Sequence, residues 1–185
     1  ATKTPYTVAL PAATVGATVS PAGNQTVTHG DNFSFSVALS EGYTDTAPVV
    51  KVGGSPIEAV SVTGSTYNYV LAEVKADKTV TVETAINTYD VTFEAGEGAT
   101  LSQADQTVDH GTEVSFTVTL AASHNATAPV VKANGTAVEY TEKTGDVYSY
   151  DLGAIKADTA VTVETAINTY DVTFEAETGA TLNKA

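Results

Sequence analysis

Two histidines occupy matching settings, His29 in T-H-G and His110 in D-H-G, 81 residues apart. A repeated imidazole is a candidate metal ligand, but a zinc site needs three or four ligands brought together. No second His or carboxylate cluster lies at ligand spacing from either, so both are read as turn residues and no metal ligand is assigned. Asp31, Asp45, Asp77, Asp109, Glu113 and Asp158 could offer oxygens to Ca²⁺. No EF-hand-like loop is present among them, and solvated turns are the favoured reading. Lys51 with Asn87, and Lys132 with Asn168, are the residue types of an intramolecular isopeptide bond, which also needs a buried acid beside the pair. Both lysines follow paired valines in P-V-V-K and are expected to point to solvent. Carboxylate pairs for hydrolysis need a cleft and a raised pKa on one partner. The residues indicate neither, so the expectation is no enzyme, no catalytic residue and no cofactor.

The aromatic set Tyr67, Tyr69, Tyr148 and Tyr150 could stack on sugars, but there is no Trp and the tyrosines alternate as core residues do. They are expected to pack. The candidates for ligand contact are then the loop residues Tyr43, Asp45 and His124, with an unknown protein or glycan as partner.

All of these positions are set by a tandem repeat. The string TAINTYDVTFEA at residues 84 to 95 returns letter for letter at 165 to 176. His29 and His110, Pro48 and Pro129, Lys51 and Lys132, Tyr67 and Tyr148, and Asn87 and Asn168 all keep the 81-residue offset. The reading is two modules, 1–86 and 87–167, followed by 168–185 as the first strand of a truncated third repeat. This period exceeds the 20 to 50 residues of solenoid units, so each copy can hold its own core. A domain of this size buries only about 60% of its unfolded surface, which predicts a thin core and no deep catalytic cavity.

Within a module the hydrophobic pattern has the period of two that marks half-buried strands. Tyr6, Val8 and Leu10 alternate with Thr7 and Ala9, and Phe33, Phe35, Val37 and Leu39 with Ser34, Ser36 and Ala38. The second copy carries Val114, Phe116, Val118 and Leu120 at the places of the latter set. Gly53-Gly54 and Asn134-Gly135 are pairs that a two-residue primed hairpin turn accepts. SPIEAVSV is read as the strand after the first of these turns. About seven short strands per module at intervals of roughly 8–12 residues, with no helical segment, predict an all-β sandwich or small barrel. The TAINTY junction has no Pro, Gly or Ser-rich linker and predicts stiff coupling and an extended rod.

Composition narrows the partners. Eight basic against 22 acidic residues give a formal charge of -14, so nucleic-acid phosphates and anionic membranes are repelled. There is no Cys, hence no disulfide framework. No 18-residue apolar run and no signal-peptide pattern is in view, so no membrane insertion is expected of this stretch.

The order of features resembles a family. Y-x-V-x-F, G-A-T-V/L-S, T-V-x-H-G, F-S-F-x-V, E-G-Y, K-x-G/N-G, Y-x-Y and A-D-x-x-V-T-V-E are similar to the divergent B-repeat modules of bacterial surface proteins, relatives of the internalin B-repeat. The second copy departs where Glu41-Gly42-Tyr43 becomes Ala122-Ser123-His124. The resemblance implies an extracellular stalk or adhesin repeat of a bacterial cell-surface or secreted protein, with no catalytic residues to carry over. The internalin B-repeat is a β-grasp with a helix, whereas these residues favour a sandwich. The expected fold is therefore all-β, two tandem immunoglobulin-like β-sandwich modules, with β-grasp-like repeats as the alternative. Tyr170, Val172 and Phe174 repeat the first strand without its usual partners, and are expected to pair with an edge of the second module or with a neighbouring chain by strand addition.

Overall fold

The computed structural model describes residues 4–175 and 178. Each repeat contributes nine strands. In the first they are β1 (Pro5–Ala9), β2 (Ala17–Ser20), β3 (Asn24–Thr28), β4 (Phe33–Leu39), β5 (Val49–Val52), β6 (Ser55–Ile57), β7 (Ser61–Thr63), β8 (Thr66–Leu71) and β9 (Lys78–Glu83). In the second they are β10 (Thr88–Glu94), β11 (Ala99–Leu101), β12 (Gln106–Asp109), β13 (Glu113–Leu120), β14 (Val130–Ala133), β15 (Thr136–Val138), β16 (Glu142–Thr144), β17 (Val147–Ala154) and β18 (Thr159–Glu164). There is no helix among the described residues, which removes the β-grasp alternative. The fold is all-β, two β-sandwich modules.

The chain divides into two compact units. One is Ala1–Tyr89 with Thr107–Thr112 and Ala154–Ala157; the other is Asp90–Gln106, Glu113–Gly153 and Asp158–Ala185. The first repeat forms a five-stranded sheet, β3-β1-β9-β5-β6, and a four-stranded sheet, β2-β4-β8-β7. The second repeats both orders, as β12-β10-β18-β14-β15 and β11-β13-β17-β16.

The first core draws on both sheets. Val8, Val27, Val50 and Val80 come from the five-stranded sheet, and Val19, Phe35, Val37, Leu39 and Tyr69 from the four-stranded one. The alternation read from Phe33 to Leu39 is thus the inward face of β4, with Ser34 exposed and Ser36 half-buried between core residues. Tyr69 stacks on Phe35 at 5.1 Å between ring centroids, and Tyr150 on Phe116 at 5.3 Å. These phenols serve the cores, as expected. Both β5–β6 and β14–β15 turn through positive φ, with Gly53 at 56° and Gly54 at 87°, Asn134 at 48° and Gly135 at 81°. Such a pair of values suits the right-handed twist of the flanking strands.

SPIEAVSV is not one strand. Val50 pairs with Ile57 in the five-stranded sheet, and Val62 pairs with Tyr67 in the four-stranded one. Glu58, Ala59 and Val60 carry the chain from one sheet to the other, so one expected strand is replaced by two, β6 and β7.

The C-terminal expectation is corrected in part. Thr165 to Glu175 lie outside the named strands, and Tyr170, Val172 and Phe174 are 79%, 71% and 71% exposed. β18 already has β10 on one side and β14 on the other, so a further first strand finds no open edge beside it. Each repeat instead uses its own first strand, β1 beside β9 and β10 beside β18. Most of the 176–185 part of the expected third-repeat strand lies outside the described residues.

Candidate functional site

The two ends of each repeat are neighbours. β1 runs parallel to β9, with Val8 opposite Lys78 and Ala9 opposite Thr79. β10 runs parallel to β18 from Val91 opposite Thr159 to Glu94 opposite Thr162. A side chain extends each pairing. Asp77 Oδ1 accepts a hydrogen bond from the Thr7 N–H at 2.8 Å, and Asp158 Oδ1 from the Asp90 N–H at 2.9 Å. Asp77 and Asp158, two of the aspartates considered as calcium ligands, act here as latches between the first and last strands. Their repeated K-A-D setting immediately before the last strand was the available signal, but only the fold reveals which N–H they meet.

Asn87 and Asn168 close the ends. Asn87 is 6% exposed; its N–H donates to Gly42 O at 2.7 Å and its Oδ1 accepts from the Asp45 N–H at 3.1 Å. Asn168 repeats this, donating to Ser123 O at 2.7 Å and accepting from the Ala126 N–H at 2.9 Å. Its amide also donates to Ala122 O at 2.8 Å. Each asparagine replaces missing backbone partners in a loop, which leaves the amide committed. Lys51 meets Glu83 at 2.6 Å and Lys132 meets Glu164 at 2.6 Å, so the isopeptide candidates have separate partners.

Two of the loop candidates for ligand contact, Tyr43 and His124, pack against glycines. Tyr43 is half-buried, and a Cβ at Gly16 would overlap its ring. His124 is buried, its ring holds the same position against Gly98, and its Nδ1 lies 2.9 Å from Ser123 Oγ. The backbone turn is shared as well, Tyr43 N–H donating to Ser40 O at 3.1 Å and His124 N–H to Ala121 O at 2.9 Å. Gly16 and Gly98 have φ of 68° and 72°, so they supply both the space and the left-handed backbone. Asp45 is exposed, and its N–H rather than its carboxylate is used. His29 packs on Tyr6 at 5.8 Å and His110 on Tyr89 at 5.9 Å. Among the described residues no three His, Asp or Glu side chains are grouped to hold a metal ion.

Where Glu58–Val60 cross between the sheets, a cleft of about 370 Å³ opens, lined by Pro48, Val50, Ile57, Ala59, Val62 and Tyr67, with Glu58 as its carboxylate. The second repeat differs at three of these places, one of them only slightly, with Val138 for Ile57. Tyr140 stands for Ala59 and Lys143 for Val62. Tyr140 meets Tyr148 edge-on at 5.3 Å, and Lys143 Nζ lies 5.0 Å from the centre of the same ring. Tyr148 is 2% exposed as a result, whereas its counterpart Tyr67 is half-buried. The difference of Ala59 from Tyr140 was in the sequence, but its meaning depended on the sheet crossing.

Comparison with family models, with curated proteins and with solved structures gives no match.

Proposed function

We propose that this chain is a non-enzymatic structural spacer, two stalk repeats of a bacterial cell-surface or secreted protein of the adhesin kind. The observation that carries the reading is the parallel pairing of each repeat's first strand with its last. Tension applied at the two ends of such a module draws β1 and β9 past one another along their length. The hydrogen bonds between them are then loaded together, in shear, instead of opening one at a time from an end. The Asp77 and Asp158 latches add a bond to that same pair of strands in both copies. Resistance to tension is what a spacer holding another domain away from a surface requires.

The bacterial and extracellular parts of the reading rest on the resemblance to B-repeat modules. The charge of -14 favours a solvated chain. Stretching the chain by its ends tests the proposal: a spacer yields in whole-repeat steps at appreciable force, and a chain that extends smoothly is not a load-bearing element.

A further inference from the structure

The two repeats treat one place in their fold in opposite ways. In the second, Tyr140 and Lys143 cover the Tyr148 ring, one edge-on at 5.3 Å and the other with its ammonium 5.0 Å away. In the first, Ala59 and Val62 leave the corresponding ring, Tyr67, beside an open cleft of about 370 Å³. The register is the same in both, Val62 opposite Tyr67 and Lys143 opposite Tyr148. The second repeat therefore displays what fits the cleft of the first: an aromatic ring, with a cation three residues further along.

We propose that the cleft at the Glu58–Val60 crossing of the first repeat binds an exposed segment of another protein that presents an aromatic side chain and, three residues on, a lysine or arginine. The partner supplies from outside what Tyr140 and Lys143 supply from within. The volume lies at the lower end of the range of ligand pockets, enough for a ring and part of a basic side chain's stem.

Charge decides the basic component. Glu58 is exposed at the rim, and the chain carries a formal charge of -14, so a cationic segment is attracted and an anionic one repelled. A ring seated against Tyr67 gains an aromatic pair, and the cation gains the face of that phenol. A sugar suits the cleft less well, because Pro48, Val50, Ile57, Ala59 and Val62 offer its hydroxyls few side-chain partners and unpaired burial of hydroxyls is costly. A second copy of this chain brings the same excess of negative charge.

The test is a titration of the isotope-labelled full chain with the acetylated peptide Ser-Tyr-Thr-Ser-Lys-Ser, followed by amide chemical shifts. Saturable shifts at Ala59, Val62 and Tyr67 are expected, with Kd on the order of 0.1–1 mM for so small a contact. Replacing the peptide's Tyr by Ala should abolish them, and replacing its Lys by Ser should weaken binding roughly two- to five-fold. The variant A59Y/V62K, which copies the second repeat, should lose binding. Y140A/K143V should acquire a second set of shifts around Tyr148. No saturation up to about 10 mM, equal binding of the peptide lacking Tyr, or undiminished binding to A59Y/V62K would overturn the proposal. So would oligosaccharide binding at the same amides with the peptide excluded, or shifts there that track self-association on dilution.

Discussion

Asp77 in the turn before the last strand of the first repeat takes the backbone N–H of Thr7 in its first strand at 2.8 Å, 70 residues away in the chain. Asp158 and Asp90 reproduce the bond at 2.9 Å. A carboxylate accepting a backbone N–H makes a charge-assisted hydrogen bond, here exposed and so moderated by water. Asp77→Ala and Asp158→Ala should each lower stability by about 1–2 kcal/mol, read from urea unfolding. Asp77→Asn keeps the Oδ1 acceptor and should recover part of the loss. By contrast Lys51→Ala removes a surface pair with Glu83 whose side chains are 32% and 60% exposed, and should cost less than about 1 kcal/mol. Equal losses for Asp77→Ala and Lys51→Ala would remove the special standing of the latch.

Asn87 presents a sharper case because it is buried. Its Oδ1 serves the Asp45 N–H and its Nδ2 lies 3.4 Å from Tyr89 Oη. Asn87→Ala leaves the Asp45 N–H without that acceptor and should destabilise the first unit by about 1–3 kcal/mol. Asn87→Asp keeps an acceptor at the same place and should be milder at neutral pH. Hydrogen exchange at Asp45, faster in Asn87→Ala than in the parent, gives the local readout.

The second unit should weaken in alkali. Burial, then the neighbouring Tyr148 and Glu139, pushes the Tyr150 phenol up to about 12, above the ordinary value of about 10. The folded chain therefore holds this proton at pH values where the unfolded chain has released it. The stability linked to Tyr150 is full below about pH 10 and declines as pH rises from there towards 12. Thermal unfolding across that window should show the decline, and Tyr150→Phe should reduce its slope. An unchanged slope in Tyr150→Phe would assign the alkaline loss to other groups.

Much of the fold was legible in the residues, and the reason is specific. Phe33 to Leu39 and Val114 to Leu120 alternate without interruption because each strand has one face on a core, and that face cannot shift by one residue without reversing burial. Gly53-Gly54 and Asn134-Gly135 announced their turns through the φ values they permit. SPIEAVSV misled because a strand that leaves one sheet for another keeps its hydrophobic character while changing partners. The shared packing of Tyr43 and His124 stayed hidden for a different reason. Their burial depends on Gly16 and Gly98, more than 25 residues away in each copy, and the chemical contrast of phenol and imidazole concealed a shared packing role. Asp77 read as a solvated turn because a long-range acceptor leaves no local pattern.

The central claim is that each repeat bears load through its parallel end strands, and stretching the full chain by its termini in a force spectrometer tests it most directly. Two unfolding events are expected, each releasing roughly 270–290 Å of chain less the folded length, since a repeat of 81 residues extends by about 3.3–3.6 Å per residue. Asp77→Ala should lower the force of one event and Asp158→Ala that of the other, because the latch shares the load with the strand pair. Smooth extension without two such steps, or unfolding forces indifferent to both aspartates, would contradict the account.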